Sequence, residues 1–392
     1  MNRKVAAQAM FRACQLGYFG VIIPSLTVWR AIMKISYELL SKEQQKTPPA
    51  EVTSFGAIRT NHMFVADYRD GDWRDLRIVP YGPFSIMPGG CGLHYGQTLF
   101  EGAKAFKHAD GEVYTWRFDE NAKRFNHSAS VLMMPEMPME MQIEALGRLI
   151  DVERHWCPSV PESSLYLRPF MFATEDMLGV KPSNTYTYCI MLSPSGPYYS
   201  GGFNNAITLL ITDKYHRAVS GGTGSSKCAG NYAASLRPAQ FAYEHGATQV
   251  LYLDSSNVYL EEVGTMNHYH VLKDGTFIIP AFTDSILRSI TSLSVLALAD
   301  MGKIKARQES IPLADFIKGL KSGDIIEAGG FGTAAVVSPV GKYIFEDGSS
   351  LTVGDGKVGR HSRALYELYS GMQTGKIPAP AGWTVKVPRY SA

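Results

Sequence analysis

The stretch SGGTGSSKCAGNYAASL, residues 220–236, places a single lysine, Lys227, among glycine, serine, alanine and cysteine. No aspartate or glutamate occurs between Asp213 and Glu244. A lysine with no acidic residue nearby in sequence can be buried without a counter-charge. Full burial can lower the pKa of an ammonium group by about 3–5 units. The neutral amine can then form a Schiff base with an aldehyde cofactor. The stretch therefore predicts a chemically active lysine.

Glycines around a lysine also suggest a phosphate-binding loop, and two such motifs can be tested directly. The nucleoside triphosphate motif requires Gly-Lys followed by Ser or Thr, whereas Lys227 lies between Ser226 and Cys228. The dinucleotide motif GxGxxG fails because Lys227 stands at the position of the third glycine. Both interpretations are excluded.

The composition is that of a globular protein with two domains. The 392 residues are 45% hydrophobic and 19% charged, and the chain is long enough for two substantial cores. A net charge of +2 provides no broad basic surface, so we expect no nucleic-acid partner. The five cysteines have no spacing typical of a metal site, and we expect no metal.

The first 41 residues contain several basic residues and no acid before Glu38. No run approaches the roughly 20 apolar residues that a membrane span requires. No small-residue cleavage pattern follows a compact apolar core, which argues against a secretory signal. We expect a cytoplasmic protein whose N-terminal segment packs as a helical extension, and organelle import or membrane-surface binding through this segment stays open. Every motif below lies beyond it, so residues 1–45 are expected to be dispensable for the chemistry.

The rest of the chain alternates predicted strands, tight turns and helices. Asp70-Gly71, Asp110-Gly111 and Asp274-Gly275 each lie between two strand-like runs, which predicts three hairpins with type I′ turns. A segment rich in glycine and proline near residue 200 is the best candidate for a linker. The sequence predicts an α+β protein with its active site between two domains. The predicted divisions are an N-terminal extension (1–50), a smaller α/β domain (51–195), a linker (196–202) and a larger domain (203–392).

Pyridoxal phosphate is the aldehyde cofactor that such a lysine suits, and it makes three further demands. It needs a carboxylate at its ring nitrogen, a cation with backbone amides at its phosphate, and a donor near its phenolate oxygen. Glu261 and Glu262 lie in a strand-like run, where alternation predicts that one points inward and its neighbour meets solvent. Tyr232 could reach the phenolate oxygen. Residues 332–334 and a helix start at Ile290-Thr291 offer amides to an anion.

Five ordered motifs resemble those of branched-chain amino acid aminotransferases. They are GLHYGQTLFEGAKAF (92–106), SLYLRP (164–169), SSKCAGNYAASL (225–236), EEVGTMN (261–267) and GTAAVVSP (332–339). These relatives are pyridoxal-phosphate enzymes of fold type IV, and the resemblance is to their eukaryotic-type branch. It extends from Phe55-Gly56 to near the C-terminus.

The resemblance implies a role for individual residues of this chain. Lys227 would be the Schiff-base lysine, Glu262 the partner of the ring nitrogen, and Tyr232 the neighbour of the phenolate oxygen. The remaining cofactor-binding residues would be Arg124, Ile290, Thr291 and Thr333 at the phosphate and Thr265 on the ring-nitrogen side. The substrate site would comprise aromatic residues (Phe55, Tyr95, Phe100, Tyr166 and Tyr198), the cation Arg168, and the amides of Thr333 and Ala334 at the α-carboxylate.

The implied activity is transamination of leucine, isoleucine and valine with 2-oxoglutarate, in a homodimer. One segment departs from the family, because Leu287-Arg-Ser-Ile-Thr-Ser292 replaces the usual Leu-Pro-Gly-Val-Thr-Arg. Other fold-type-IV activities stay open: a D-amino-acid or amine aminotransferase, or an aminodeoxychorismate lyase. A homologue that binds pyridoxal phosphate without turnover also stays open.

Overall fold

The computed structural model describes residues 34–51, 55–196 and 202–390. The chain divides into a unit of residues 1–35 and a compact unit of residues 36–392. Everything below concerns the second unit. Most of the predicted N-terminal extension and most of the predicted linker, with Tyr198, lie outside the described residues.

The first half of the chain forms a mainly antiparallel sheet. Its strands are β1 (Ser36–Tyr37), β2 (His62–Arg69), β3 (Asp72–Pro80), β4 (Thr98–Phe100), β5 (Ala103–Lys107), β6 (Val113–Trp116), β7 (Ser164–Ala173) and β8 (Tyr186–Ser195). They run in the order β1-β3-β2-β8-β7-β5-β6, and β4 pairs with β7. This arrangement brings β4, β5 and β7, which carry two of the motifs, side by side.

The second sheet follows and mixes parallel with antiparallel pairs. Its strands are β9 (Ile207–Ile211), β10 (Gln249–Leu253), β11 (Leu260–Val263), β12 (Met266–Leu272), β13 (Phe277–Pro280), β14 (Ala306–Glu309), β15 (Ile325–Gly332), β16 (Val336–Phe345) and β17 (Ser350–Thr352). Their order is β11-β10-β9-β16-β15-β12-β13-β14, with β17 on β16. A last strand, β18 (Thr384–Lys386), returns to the first sheet and pairs with β6.

Helices cover the sheets. They span Cys91–Tyr95, Phe118–Val131, Met139–Val152, Ala229–Ala234, Leu236–Glu244, Ile290–Asp300, Leu313–Ser322 and Arg360–Gln373, with single 3₁₀ turns at Arg154–Trp156 and Gly202–Asn204. On one face of the second sheet, Phe316 and Leu320 pack in a cluster with Met266. On the other face, Val295 and Leu365 join a second cluster. Because helices pack on both of its faces, the second sheet gives rigid support to the loops at its edge.

The three predicted hairpins are present, but only one has the predicted turn. Both Asp70 (φ 53°) and Gly71 (φ 78°) have positive φ, as a type I′ turn requires. In the other two turns only the glycines, Gly111 and Gly275, lie in this region. Those turns are longer, and Asp110 and Asp274 instead accept hydrogen bonds from backbone N–H groups two residues on.

The α+β prediction is confirmed by the two sheets and their helices. Part of the predicted extension belongs to the first sheet, since β1 pairs in parallel with β3. Lys46 also exchanges two hydrogen bonds with the Asn61 side chain. In the described part of the chain, no helix is long and apolar enough to cross a membrane.

Candidate active site

Lys227 lies in the loop before the helix Ala229–Ala234, held against the first half of the chain. Its N–H donates to Ser128 Oγ at 2.9 Å, and its carbonyl accepts from the N–H of Phe100 at 3.1 Å. The glycines of this loop permit close packing, because a Cβ on Gly224 would overlap the Ser285 carbonyl. Hydrogen bonds therefore fix the backbone of Lys227 through both its N–H and its carbonyl, and the side chain starts from a fixed position.

The Lys227 amine is buried beside the rings of Tyr232 and Phe100. Its Nζ donates to Tyr232 Oη at 2.6 Å and lies 4.9 Å from the centre of the Phe100 ring. Burial, together with the charge of Arg124, lowers its pKa from 10.5 to about 8, although Glu101 opposes this shift. Burial also raises the pKa of Tyr232 well above that of a free tyrosine. The Lys227 amine, hydrogen-bonded to Tyr232, can therefore lose its proton close to neutral pH.

Glu262, on β11, is buried, and both of its carboxylate oxygens have polar neighbours. Its Oε1 accepts from the Leu287 N–H at 2.7 Å and from Asn267 Nδ2 at 3.2 Å. Its Oε2 lies 2.9 Å from Nε of Arg217, an ion pair that is almost wholly buried. Burial raises the pKa of Glu262, and the charge of Arg217 acts in the opposite direction.

Glu261 corrects one expectation from the sequence. Strand alternation predicts that the neighbour of Glu262 meets solvent, yet Glu261 is also only 3% exposed. Ser285 covers it, and the Ser285 hydroxyl donates to Glu261 Oε1. Burial raises the pKa of Glu261 to about 7. The prediction is wrong because the chain around Ser285 folds over the second face of β11.

Arg124, on the helix Phe118–Val131, is anchored by a carboxylate and a carbonyl. Its Nε and Nη2 donate to the two oxygens of Glu101 at 2.7 and 2.8 Å. Its Nη1 donates to the Arg288 carbonyl at 2.9 Å. The segment 287–292, which departs from the family pattern, therefore contacts two of the predicted site residues. The Arg288 carbonyl accepts from Arg124, and the Leu287 N–H donates to Glu262.

Three residues predicted to bind phosphate line one small cavity. Ile290 and Thr291 begin an eleven-residue helix, capped by the hydroxyl of Ser289, which accepts from the Ser292 N–H. Both residues line a cavity together with Thr333 from the turn between β15 and β16. A helix N-terminus offers unpaired N–H groups and a favourable dipole to an anion.

The predicted aromatic residues form a chain of contacts that starts at Tyr232. The Phe100 ring lies 4.6 Å from the Tyr232 ring, and the guanidinium of Arg168 lies 4.7 Å from the Phe100 ring. Arg168 Nη2 donates to Tyr166 Oη at 3.1 Å, and the Tyr166 ring lies 4.7 Å from that of Phe55. Among the described residues, no aspartate or glutamate forms an ion pair with Arg168.

Three predicted residues lie elsewhere or cannot be placed. Tyr95 is 40% exposed, and its hydroxyl donates to the Leu178 carbonyl. Thr265 is exposed in the turn between β11 and β12. Tyr198 lies outside the described residues. Ala334 lies in the turn after β15, and its carbonyl accepts from Lys104 Nζ at 2.8 Å.

Several polar residues of this site were missed in the sequence. Glu101, Lys104 and Arg217 are all buried, and burial lowers the pKa of Lys104 to about 8. Glu101 and Lys104 lie inside the motif 92–106, where charged residues among apolar ones were a usable signal. Arg217 precedes the glycine-rich loop and had no such signal, because its partner Glu262 is distant in sequence. Within the described residues, no group of three His, Cys, Asp or Glu side chains could hold a metal ion.

Comparison with known proteins identifies the family. A family model for class IV amino-transferases matches residues 98–342. A probable branched-chain-amino-acid aminotransferase of Staphylococcus epidermidis is 43% identical over 359 residues, which are 91% of this chain and 99% of that protein. The chain belongs to the branched-chain amino acid aminotransferase family, within class IV.

Solved structures agree with the fold of this aminotransferase. The branched-chain amino acid aminotransferase of Escherichia coli superposes with a TM-score of 0.70 at 24% identity, over 84% of this chain and 99% of that one. The T.th. branched-chain amino acid aminotransferase with pyridoxamine 5′-phosphate gives a TM-score of 0.66 at 25% identity, over 82% of this chain and 98% of that one. The prediction of fold type IV is confirmed.

Class IV aminotransferases use pyridoxal phosphate, and the residues of this aminotransferase fit that cofactor. Lys227 presents an amine with a lowered pKa to the aldehyde, and Tyr232 lies beside it. Glu262 is a buried carboxylate suited to a ring nitrogen, and Arg124 with the helix start at Ile290 suits a phosphate. The donor set matches the three demands of the cofactor.

Proposed function

We propose that this aminotransferase moves the amino group of L-leucine, L-isoleucine or L-valine to 2-oxoglutarate, giving branched-chain 2-oxo acids and L-glutamate. The observation that carries the proposal is the Lys227 amine, held by Tyr232 with a pKa of about 8 beside an aromatic wall. The curated relative from Staphylococcus epidermidis carries the same branched-chain name.

In this proposal the Lys227 amine moves a proton. When bound, pyridoxal phosphate supplies an aldehyde that carries the amino group and a ring that accepts the electron pair of the substrate α-carbon. Lys227 Nζ, once neutral, takes the proton from that carbon and later returns one on the cofactor side. A base with a pKa near the working pH is best suited to both transfers.

Glu262 and Arg124 hold the cofactor in place in this proposal. The Glu262 carboxylate, oriented by the Leu287 N–H and by Arg217, accepts a hydrogen bond from the ring nitrogen and favours its protonated form. Arg124 and the amides at Ile290, Thr291 and Thr333 hold the phosphate. Thr265 stays a proposed contributor on the ring-nitrogen side.

The substrate side chain meets an apolar wall with one cation. Phe55, Phe100 and Tyr166 form the wall, and we assign Tyr95 and Tyr198 to it as further proposals. An apolar wall distinguishes aliphatic side chains weakly, since a methylene is worth about 1–3 kcal/mol. Leucine, isoleucine and valine should therefore all react. Arg168 has no carboxylate partner among the described residues, so it can bind the second carboxylate of 2-oxoglutarate, while the amides of Thr333 and Ala334 bind the α-carboxylate.

We also propose a homodimer, a cytoplasmic location and two domains divided near residue 200. The described surface supports the dimer through large exposed apolar side chains: Met87, Leu93, Tyr95, Leu178 and Val180. Apolar patches on a surface of this kind mark contacts between proteins. The structure motivates a boundary of the N-terminal extension before Ser36, where β1 begins.

A substrate panel tests the proposed function. The purified protein with pyridoxal phosphate is mixed with 2-oxoglutarate and one donor, and glutamate is measured. The donor is the L- or the D-form of leucine, isoleucine or valine, or a simple aliphatic amine. We expect activity with all three L-amino acids and none with the D-forms. Activity confined to D-amino acids or to amines would replace the proposal with another class IV activity. Cofactor binding without glutamate formation from any donor would indicate a non-catalytic homologue.

A further inference from the structure

Glu101 is a buried carboxylate that the proposed function leaves without a role. It follows Phe100, the last residue of β4, and is 1% exposed. Its Oε1 accepts from Arg124 Nε at 2.7 Å. Its Oε2 accepts from Arg124 Nη2 and Asn121 Nδ2, both at 2.8 Å, and from the Gly102 N–H at 3.0 Å. Four donors therefore fix this side chain in one orientation.

The bidentate contact determines which edge of Arg124 remains available. A guanidinium carries five N–H donors in a planar fork. Glu101 takes one on Nε and one on Nη2, and the Arg288 carbonyl takes one on Nη1. One N–H on Nη1 and one on Nη2 are left for another acceptor. Because the fork is rigid, the carboxylate that holds one edge also sets the direction of the other.

Glu101 also balances the positive charge of the site. Arg124 and Lys227 both act on the Glu101 carboxyl, and together with the hydrogen bonds of Arg124 and Asn121 they keep its pKa below its usual value despite burial. A buried arginine without an anion would be strongly destabilised, and it would reorient to find another partner. The carboxylate is thus ionised and tied to Arg124.

We propose that Glu101 is a positioning residue that holds the free edge of Arg124 toward the phosphate of the cofactor. The proposal rests on the proposed function, because it takes Arg124 as the phosphate-binding arginine. Glu101 touches neither the substrate nor the cofactor and acts through Arg124. Its effect should therefore appear in the recognition of the phosphate group and not in the recognition of the pyridoxal ring.

Two matched ligands isolate this effect. The cofactor-free protein is titrated with pyridoxal phosphate and with pyridoxal, which lacks the phosphate, and the ratio of the two dissociation constants measures phosphate recognition. Glu101→Gln keeps the shape of the side chain but removes the charge and one acceptor. We expect it to lower the preference for pyridoxal phosphate at least tenfold, since a hydrogen bond to a charged group is worth about 1.5–3 kcal/mol. Any change that the lost charge makes at the Lys227 amine affects both ligands alike, because both react through the same aldehyde, so it cancels in the ratio.

Further variants separate positioning from folding. Glu112→Gln, which weakens ion pairs of Glu112 with Arg154 and Arg389, is the control and should leave the ratio unchanged. Glu101→Asp keeps the charge and should retain part of the preference, and it replaces Glu101→Gln if that variant does not fold. In an Arg124→Gln background, Glu101→Gln should add nothing further to the loss, because residues that act through one another are not additive.

The outcomes distinguish this proposal from the proposed function. An unchanged ratio in a folded Glu101 variant overturns the positioning role, and so does an equal loss of affinity for both ligands. Independent losses from Glu101→Gln and Arg124→Gln also overturn it. If the wild-type protein binds no pyridoxal phosphate, the proposed function fails first and the proposal falls with it.

Discussion

Lys227 shows how much the sequence around one residue can predict. The absence of acids near it in sequence indicated a lowered pKa, and the structure shows that burial and the charge of Arg124 lower that pKa to about 8. The sequence could not show that Glu101, 126 positions earlier, opposes this shift. Its effect depends on the way β4 lies against the lysine loop, through the Leu99–Cys228 bridge.

The lowered pKa of Lys227 predicts the pH dependence of its reaction with an aldehyde. Only the neutral amine attacks, and its fraction rises with pH through the pKa. The rate of reaction of the cofactor-free protein with pyridoxal should therefore rise with pH and be half-maximal near pH 8. Stopped-flow absorbance measures this rate. A rate that is still rising steeply above pH 10 would show that the Lys227 amine is not perturbed.

Arg168 predicts a separation between the two half-reactions. Arg168→Met keeps the length and apolar character of the side chain but removes the cation. If Arg168 binds the second carboxylate, the Michaelis constant for 2-oxoglutarate should rise roughly 10- to 100-fold, the effect of a lost hydrogen bond to a charged group, while that for leucine changes little. Equal damage to both constants would indicate that Arg168 supports the Phe100 and Tyr166 rings instead.

Among the elements, the link between β4 and β5 leaves no room for a side chain at Gly102. A Cβ on Gly102 would overlap the hydroxyl of Tyr166 on β7. Gly102→Ala should displace the Tyr166 ring from the substrate wall, at a cost of about 1–3 kcal/mol, and raise the Michaelis constant for leucine. The measurement is steady-state kinetics with a thermal melt of the same sample. Gly230→Ala is the control, because a Cβ there meets nothing within 4 Å. A silent Gly102→Ala would contradict the predicted wall.

The elements that the sequence predicted are those with strong local signals. Aspartate-glycine pairs predicted the three hairpins, and a helix start was predicted at Ile290-Thr291, where the helix Ile290–Asp300 begins. The helices Leu313–Ser322 and Arg360–Gln373 were missed. Each covers one face of the second sheet, and its helical state depends on that packing as well as on local sequence.

The buried ion pairs of the site could not be predicted at the level of elements. Glu262 pairs with Arg217, and Arg124 pairs with Glu101, in each case across a large separation in sequence. The burial of Glu261 was missed for the same reason, since its cover comes from the chain around Ser285. The resemblance named the residues that we propose act directly, while their supporting partners depend on the folded structure.

In the whole molecule, the edge of the first sheet limits how far the chain can be shortened. A chain that begins at Ser36 keeps β1 and the bonds between Lys46 and Asn61, and we expect it to fold and to transaminate. A chain that begins at Thr47 loses both and should have a lower thermal midpoint. Thermal melts and activity of the two proteins check this. Full activity and stability of the shorter chain would show that β1 is dispensable.

The exposed apolar side chains Met87, Leu93, Tyr95, Leu178 and Val180 predict the assembly. Multi-angle light scattering should report twice the mass of one chain. A charged substitution at an exposed position, Leu178→Glu, should shift the protein toward the monomer because the new charge would be buried in the contact. Met133→Glu, at an exposed residue outside that group of side chains, is the matched control. A fully active monomer would contradict the proposed homodimer.

The central claim is that this aminotransferase removes the amino group of a branched-chain L-amino acid with the Lys227 amine moving the proton, and a single turnover tests it most directly. The protein loaded with pyridoxal phosphate is mixed with L-leucine and no amino acceptor, and 4-methyl-2-oxopentanoate is quantified against the protein. We predict an amount of this oxo acid equal to the amount of active sites, with none from Lys227→Ala. No oxo acid from the wild-type protein, or the same amount from Lys227→Ala, would contradict the account.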